Sequence, residues 1–89
     1  MPRVIFTSNL QRLVECPERE VTATSVREAL ERVFESAPAL RDYILDEASA
    51  LRKHVVIYVG GRRVTDRTRL AEPVSPDAEI YVLQALSGG

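Results

Sequence analysis

Six apolar residues, Val26, Ala29, Leu30, Val33, Phe34 and Ala37, recur at i, i+3, i+4, i+7, i+8 and i+11. That spacing gathers them on one face of an α-helix. The opposite face carries Arg27, Glu28, Glu31, Arg32 and Glu35. Such a helix has to lay one side on an apolar surface and leave the other in water. Ser25 followed three residues later by Glu28 fits a capping box, with Thr24 as the competing N-cap. Pro38 opposes continuation of the helix, because it lacks the amide hydrogen and clashes with the preceding turn.

The apolar surface is supplied by short β-type runs on either side. Residues 3–7, with Val4, Ile5 and Phe6, suit a pleated strand. Residues 8–18 are polar, contain Cys16-Pro17, and read as a loop. Residues 19–23, centred on Val21, return as a second strand antiparallel to the first. Within residues 39–53, Leu40, Ile44, Ala48 and Leu51 could line a second helix; the thin stripe favours a short helical piece followed by a turn at 46–49. Residues 54–59 are almost entirely β-branched or aromatic, as a central strand requires. Gly60-Gly61 is a turn signal, and residues 62–64 form a short return strand. Residues 65–78 hold two prolines and read as loop with a turn of helix. Residues 79–86 form the last strand. One amphipathic helix on one face of a mixed sheet is an α+β two-layer domain. Periodicity predicts a core of Val4, Phe6, Val21, Val26, Leu30, Val33, Val55, Ile57, Leu70, Ile80 and Val82.

Composition narrows the chemistry. At 89 residues, the chain has room for one core. Twelve basic and 13 acidic residues give a net charge of −1, which provides no electrostatic footprint for nucleic acid or for an anionic membrane. The longest apolar run is residues 55–59, far too short to span a bilayer, and the start shows no signal-peptide core. One Cys and one His cannot make an internal disulfide or a structural zinc site. The expected compartment is therefore a reducing cytoplasm. No phosphate-binding Gly-rich motif is present, and a catalytic triad would have to use His54, the only imidazole. A carrier, binding module or subunit fits this inventory better than a stand-alone enzyme.

Ser87-Gly88-Gly89 follows directly on the last strand. Three residues reach at most roughly 10 Å when extended, and two glycines without Cβ atoms can thread a narrow channel to a buried reaction centre. Strand alternation turns Val55, Ile57 and Val59 toward the helix and leaves Val56 and Tyr58 outward. Likewise Ile80 and Val82 face in, and Tyr81 and Leu83 face out. Val56, Tyr58, Tyr81 and Leu83 are thus expected to form an apolar partner-binding patch near the tail. His54 reads as a structural or solvent-facing residue and Cys16 as an incidental thiol. Arginine outnumbers lysine eleven to one, which codon bias accounts for, and Lys53 is the only side-chain amine. Arg62-Arg63 and Arg67 with Arg69 could contact a partner, with solvated loop charge as the default expectation.

Three stretches carry a resemblance over residues 3–89. They are Leu40-Arg41-Asp42 with Ile44-Leu45-Asp46-Glu47, then Leu51-Arg52-Lys53-His54-Val55-Val56-Ile57-Tyr58-Val59, and Ala78-Glu79-Ile80-Tyr81-Val82-Leu83-Gln84-Ala85-Leu86-Ser87-Gly88-Gly89. Together they resemble the ubiquitin-like β-grasp sulfur carriers: the small subunit of molybdopterin synthase and the carriers of the thiamine and cysteine pathways. Two departures stand out. Gly60-Gly61 occupies the place of the usual Asn-Gly, and Ser75-Pro76-Asp77-Ala78-Glu79 that of the usual Asp-Gly-Asp-Glu.

The resemblance implies a β-grasp domain over residues 1–86 and a flexible tail over 87–89. It also implies that the chain is a carrier rather than an enzyme. An adenylating, E1-like partner would use ATP and magnesium to activate the Gly89 carboxylate, and a sulfur donor would convert it to a thiocarboxylate. Ser87 and Gly88 would thread the partner's channel. No cofactor would be bound by the carrier itself. The sulfur acceptor would be a synthase, such as a cysteine synthase or the large subunit of molybdopterin synthase. Length and motif favour the cysteine and molybdopterin types over the shorter thiamine type, with a lean to cysteine biosynthesis. A ubiquitin-like modifier joined through Gly89 to lysines of other proteins, and an inert β-grasp interaction module, stay open as alternatives.

Overall fold

A computed structural model describes residues 1–6 and 18–84. The elements run β1 (Arg3–Phe6), β2 (Glu18–Glu20), α1 (Val26–Ser36), α2 (Pro38–Ile44), β3 (Val55–Val59), β4 (Arg62–Arg63) and β5 (Glu79–Gln84). The strands make one five-stranded sheet in the order β2-β1-β5-β3-β4. β1 and β5 are parallel and the other pairs antiparallel. β5, the last strand in sequence, therefore lies at the centre of the sheet.

Helix α1 forms where its apolar stripe predicts. Its buried residues are Val26, Ala29, Leu30, Val33 and Phe34. They join Val4, Phe6, Val55, Ile57, Ile80 and Val82 of the sheet in one core. All eleven residues of the predicted core are buried. The N-terminal cap is a shifted box. Ser25 Oγ accepts from the Glu28 amide at 3.2 Å, but the Glu28 carboxylate accepts from the amide of Thr24, at 2.8 Å, rather than from Ser25. The Thr24 hydroxyl donates to the same oxygen at 3.2 Å.

Pro38 both stops one helix and starts the next. It occupies the first turn of α2, where no intrahelical amide is needed. The short helical piece is thus the form that residues 39–53 adopt, followed by a turn in which Leu45 bridges Leu51. Leu40, Ile44, Leu45 and Leu51 close one end of the core.

Strand β2 is shifted toward the N-terminus of the predicted 19–23. The Val21 amide still donates to Pro2 at 2.9 Å, after which the chain turns away into α1. β4 is similarly short, although the Val64 amide donates to Ile57 at 2.8 Å. Gly60 and Gly61 sit at φ +57° and +82°, the two positive values that a tight hairpin turn demands. The turn at 75–78 closes without a glycine, through the Ala78 amide to Ser75 at 3.0 Å. Residues 65–78 contain turns but no helix.

Several arginines act as struts, which gives part of the arginine bias a structural reason. Arg27 donates to the carbonyls of Ser49, Thr68 and Arg69 at 2.8, 2.7 and 3.1 Å. Arg52 reaches Asp42 at 2.7 Å and Arg67 reaches Arg52 at 2.7 Å. A guanidinium has five donors in a fixed fork, whereas an ammonium offers a point charge on a flexible stem.

Leu70 is fully buried with φ +54°, a left-handed conformation that costs a non-glycine residue roughly 1–2 kcal/mol. The Asp66 carboxylate holds it there by accepting from the amides on either side, Arg69 at 3.0 Å and Ala71 at 3.2 Å. These bonds lower the Asp66 pKa. Hydrogen bonds from the amide and hydroxyl of Thr24, aided by Arg32, lower that of Glu28. A carboxylate with a depressed folded pKa contributes stability that is present above its unfolded pKa and lost as pH falls through the folded one. Denaturant unfolding over a pH series is therefore expected to show stability falling below about pH 4. The double variant Glu28→Gln, Asp66→Asn should be less stable at pH 7 and flatter on the acid side; an unchanged acid limb would contradict these roles.

Candidate functional site

The face of the sheet opposite α1 is built by alternation. β3 reads buried, half-buried, buried, half-buried, buried, and its half-buried residues are Val56 and Tyr58. β5 leaves Tyr81 and Leu83 half-buried on the same face. The antiparallel register sets Val56 opposite Leu83 and Tyr58 opposite Tyr81. The four expected partner-binding residues are thus brought together as two adjacent cross-strand pairs. Each is half-buried rather than fully exposed. Directly opposed side chains stand about 4.5–5.5 Å apart at Cβ, so large neighbours cover one another.

Ile5 belongs to the same block. It is half-buried and lies beside Tyr81 in the parallel ladder. Alternation alone turned Ile5 away from the core, between Val4 and Phe6, but the adjacency of β1 and β5 is not written in local sequence. The rim is charged. Exposed Arg63 stands opposite Tyr58 on one side. On the other, Arg3 sits among Glu18, Glu20 and Glu79 at 3.7, 3.9 and 3.9 Å. Exposed pairs of this kind contribute about 0–1 kcal/mol each, so they shape the rim more than they stabilise the fold.

At the far end of β5, Val55 is opposite Gln84. The Tyr43 hydroxyl of α2 donates to Gln84 Oε1 at 3.3 Å. The His54 ring meets Tyr43 edge-on, with centroids 5.4 Å apart and planes at 88°. That contact gives His54 the structural place expected of it. Ser87, Gly88 and Gly89 lie outside the described residues, as does Cys16. Among the described residues no helix is long and apolar enough to cross a membrane.

A five-stranded mixed sheet with parallel β1 and β5 at its centre, crossed on one face by a single main helix, is the ubiquitin-like β-grasp. Solved structures share it along nearly the whole chain. A chain of the Amycolatopsis orientalis BexX/CysO complex superposes with TM-score 0.85 at 19% identity, covering 100% of both chains. Small archaeal modifier protein 1 from Methanosarcina acetivorans gives 0.84 at 22% identity, over 99% of this chain and 95% of that one. Urm1 from Sulfolobus solfataricus gives 0.74 at 17% identity, over 93% and 99%. No protein-family model matches the sequence, and no curated protein does. At identities this low the superpositions establish the shared fold alone.

Proposed function

We propose that this chain is a sulfur carrier and the substrate of an adenylating enzyme, rather than a catalyst itself. A free carboxylate is a poor electrophile, since its charge repels nucleophiles and its oxygen leaves badly. The partner would use ATP and magnesium to join the Gly89 carboxyl to adenylate, which supplies a leaving group. Sulfide would then displace AMP to give a thiocarboxylate, whose sulfur is nucleophilic at neutral pH; a persulfide donor would first give an acyl disulfide, from which attack by a second thiol on the donor's sulfur would release the thiocarboxylate. The carrier contributes the reactive end and a recognition face, and needs no resident cofactor. The acceptor would be a synthase of the cysteine or molybdopterin type, with cysteine biosynthesis preferred, in the cytoplasm.

One observation carries this reading. Half of the apolar block, Tyr81 and Leu83, sits on β5, the strand that precedes the tail in sequence, and Val56 and Tyr58 face them from β3. A partner seated on the block would meet the tail as it leaves the sheet. Ser87 and Gly88 would thread its channel.

Tyr58→Glu or Leu83→Glu is expected to keep the fold, because neither side chain enters the core. Each should weaken affinity for the adenylating enzyme of the same cell by roughly thirtyfold, the change that about 2 kcal/mol produces at a central contact. Circular dichroism checks the fold and titration calorimetry the affinity. Unchanged affinity in both variants would remove the block from the interface. A second reading, conjugation of Gly89 to lysines of other proteins, is favoured by the likeness to small archaeal modifier protein 1. It shares the activation step and differs in yielding high-mass adducts.

A further inference from the structure

On the sheet face turned away from α1, one row of side chains crosses all the strands. Glu18 of β2 is opposite Ile5 of β1, and Ile5 lies beside Tyr81 of β5. Tyr81 is opposite Tyr58 of β3, and Tyr58 is opposite Arg63 of β4. Residues paired in register point to the same face of a sheet. From edge to edge the row thus reads acid, aliphatic, aromatic, aromatic, base. It is self-complementary about Tyr81. When a second copy is turned over on an axis along β5, its Arg63 comes over Glu18, its Tyr58 over Ile5 and its Tyr81 over Tyr81.

The neighbouring rows agree with that axis. Leu83, two residues further along β5, meets its own copy there, with Val56 at its side. Glu79 also lies on β5, and its charge is offset by Arg3 at 3.9 Å. Glu18 and Arg63 are both exposed. Among the described residues Arg63 forms no ion pair. Glu18 lies 3.7 Å from Arg3, an exposed contact of little energy that leaves it able to take a second cation. An axis running across the strands instead would stack Glu18 on Glu18 and Arg63 on Arg63, so charge selects the axis along β5.

We propose that this face is the contact of a two-fold dimer, in which two copies of the chain pack sheet on sheet with β5 over β5. Such sheets stack about 10 Å apart with strands aligned to within about 30°. At the usual strand spacing and rise, the sheet is about 19 Å wide and β5 about 20 Å long. Two faces of that size bury about 800 Å² together, less than the roughly 1,200 Å² at which stable interfaces begin. The dimer is accordingly weak, with a dissociation constant on the order of 0.1–1 mM, and its charged edges make it weaker still as salt rises. An adenylating enzyme seated on the same apolar block would displace the second copy. That competition rests on the carrier function proposed above; the dimer itself does not.

Sedimentation equilibrium of the full chain, up to about 1 mM and at low salt, measures the association. Glu18→Lys and Arg63→Glu, both at exposed positions, should each weaken it at least about tenfold, because two-fold symmetry turns one substitution into two repulsive pairs. Mixed one to one, the two variants should associate again to within about threefold of the native affinity. In the mixture each introduced lysine meets an introduced glutamate, and each remaining Glu18 meets a remaining Arg63. Backbone amide shifts of the native chain should move with concentration at Ile5, Tyr58, Tyr81 and Leu83, and not along the outer face of α1. A native chain that stays monomeric at about 1 mM in low salt would overturn the dimer. So would a mixture no tighter than either variant alone, or shift changes confined to α1. No enzyme takes part, so a negative result leaves the carrier function untouched, and a chain that no enzyme loads would leave the dimer standing.

Discussion

A chain lacking Gly89 is expected to fold as stably as the intact one and to accept no sulfur. Among the described residues every buried core residue lies between Val4 and Val82, and removing the final glycine should change unfolding free energy by less than about 0.5 kcal/mol. Loading should nevertheless drop below detection, because the carboxylate is drawn back by one residue from the adenylating centre. Gly88→Val should have the same effect, since a β-branched side chain fills the channel that two glycines leave open. One residue added after Gly89 should also block loading by overshooting. Urea unfolding measures the first half of this expectation and mass spectrometry of the incubated carrier the second. Sulfur gained by the shortened chain would overturn the role of Gly89.

Leu30→Ala should cost about 2–5 kcal/mol, the range for truncating a buried leucine and leaving part of the cavity unfilled. Leu30 is fully buried on α1, in the core that the helix shares with β3 and β5. Small domains have only about 5–15 kcal/mol in hand, so the variant should unfold at markedly lower urea. A loss under about 1 kcal/mol, the typical effect of an arbitrary substitution, would contradict the tight packing of helix on sheet.

The helix and its buried face were legible because period 3.6 and period 2 are local properties. Val26, Leu30 and Val33 declare themselves within one window, as do Val55 and Ile57. Strand order is a different kind of information. Nothing near Ile5 says that β1 lies parallel to β5, so its place beside Tyr81 emerges only once the sheet is assembled. Pro38 shows a second limit. The same missing amide that ends α1 suits the first turn of α2, and sequence alone weighs the two uses equally. Codon bias accounts for only part of the arginine enrichment, since Arg27 holds three carbonyls of distant loops. Long-range hydrogen bonds of that kind leave no periodic trace. At the candidate site, alternation places Val56, Tyr58, Tyr81 and Leu83 on one face, and the register sets them opposite one another as two cross-strand pairs. The tail's contribution rests on its two glycines and on the family it resembles.

The central claim is that Gly89 carries sulfur. The most direct measurement is the intact mass of the purified chain after incubation with its cell's adenylating enzyme, ATP, magnesium and sulfide. A carrier should gain the mass difference between one sulfur and one oxygen atom, located by fragmentation at Gly89 and lost on alkaline hydrolysis. An unchanged mass with every adenylating enzyme of that cell, from a chain that remains folded, would contradict the account and leave an inert β-grasp interaction module.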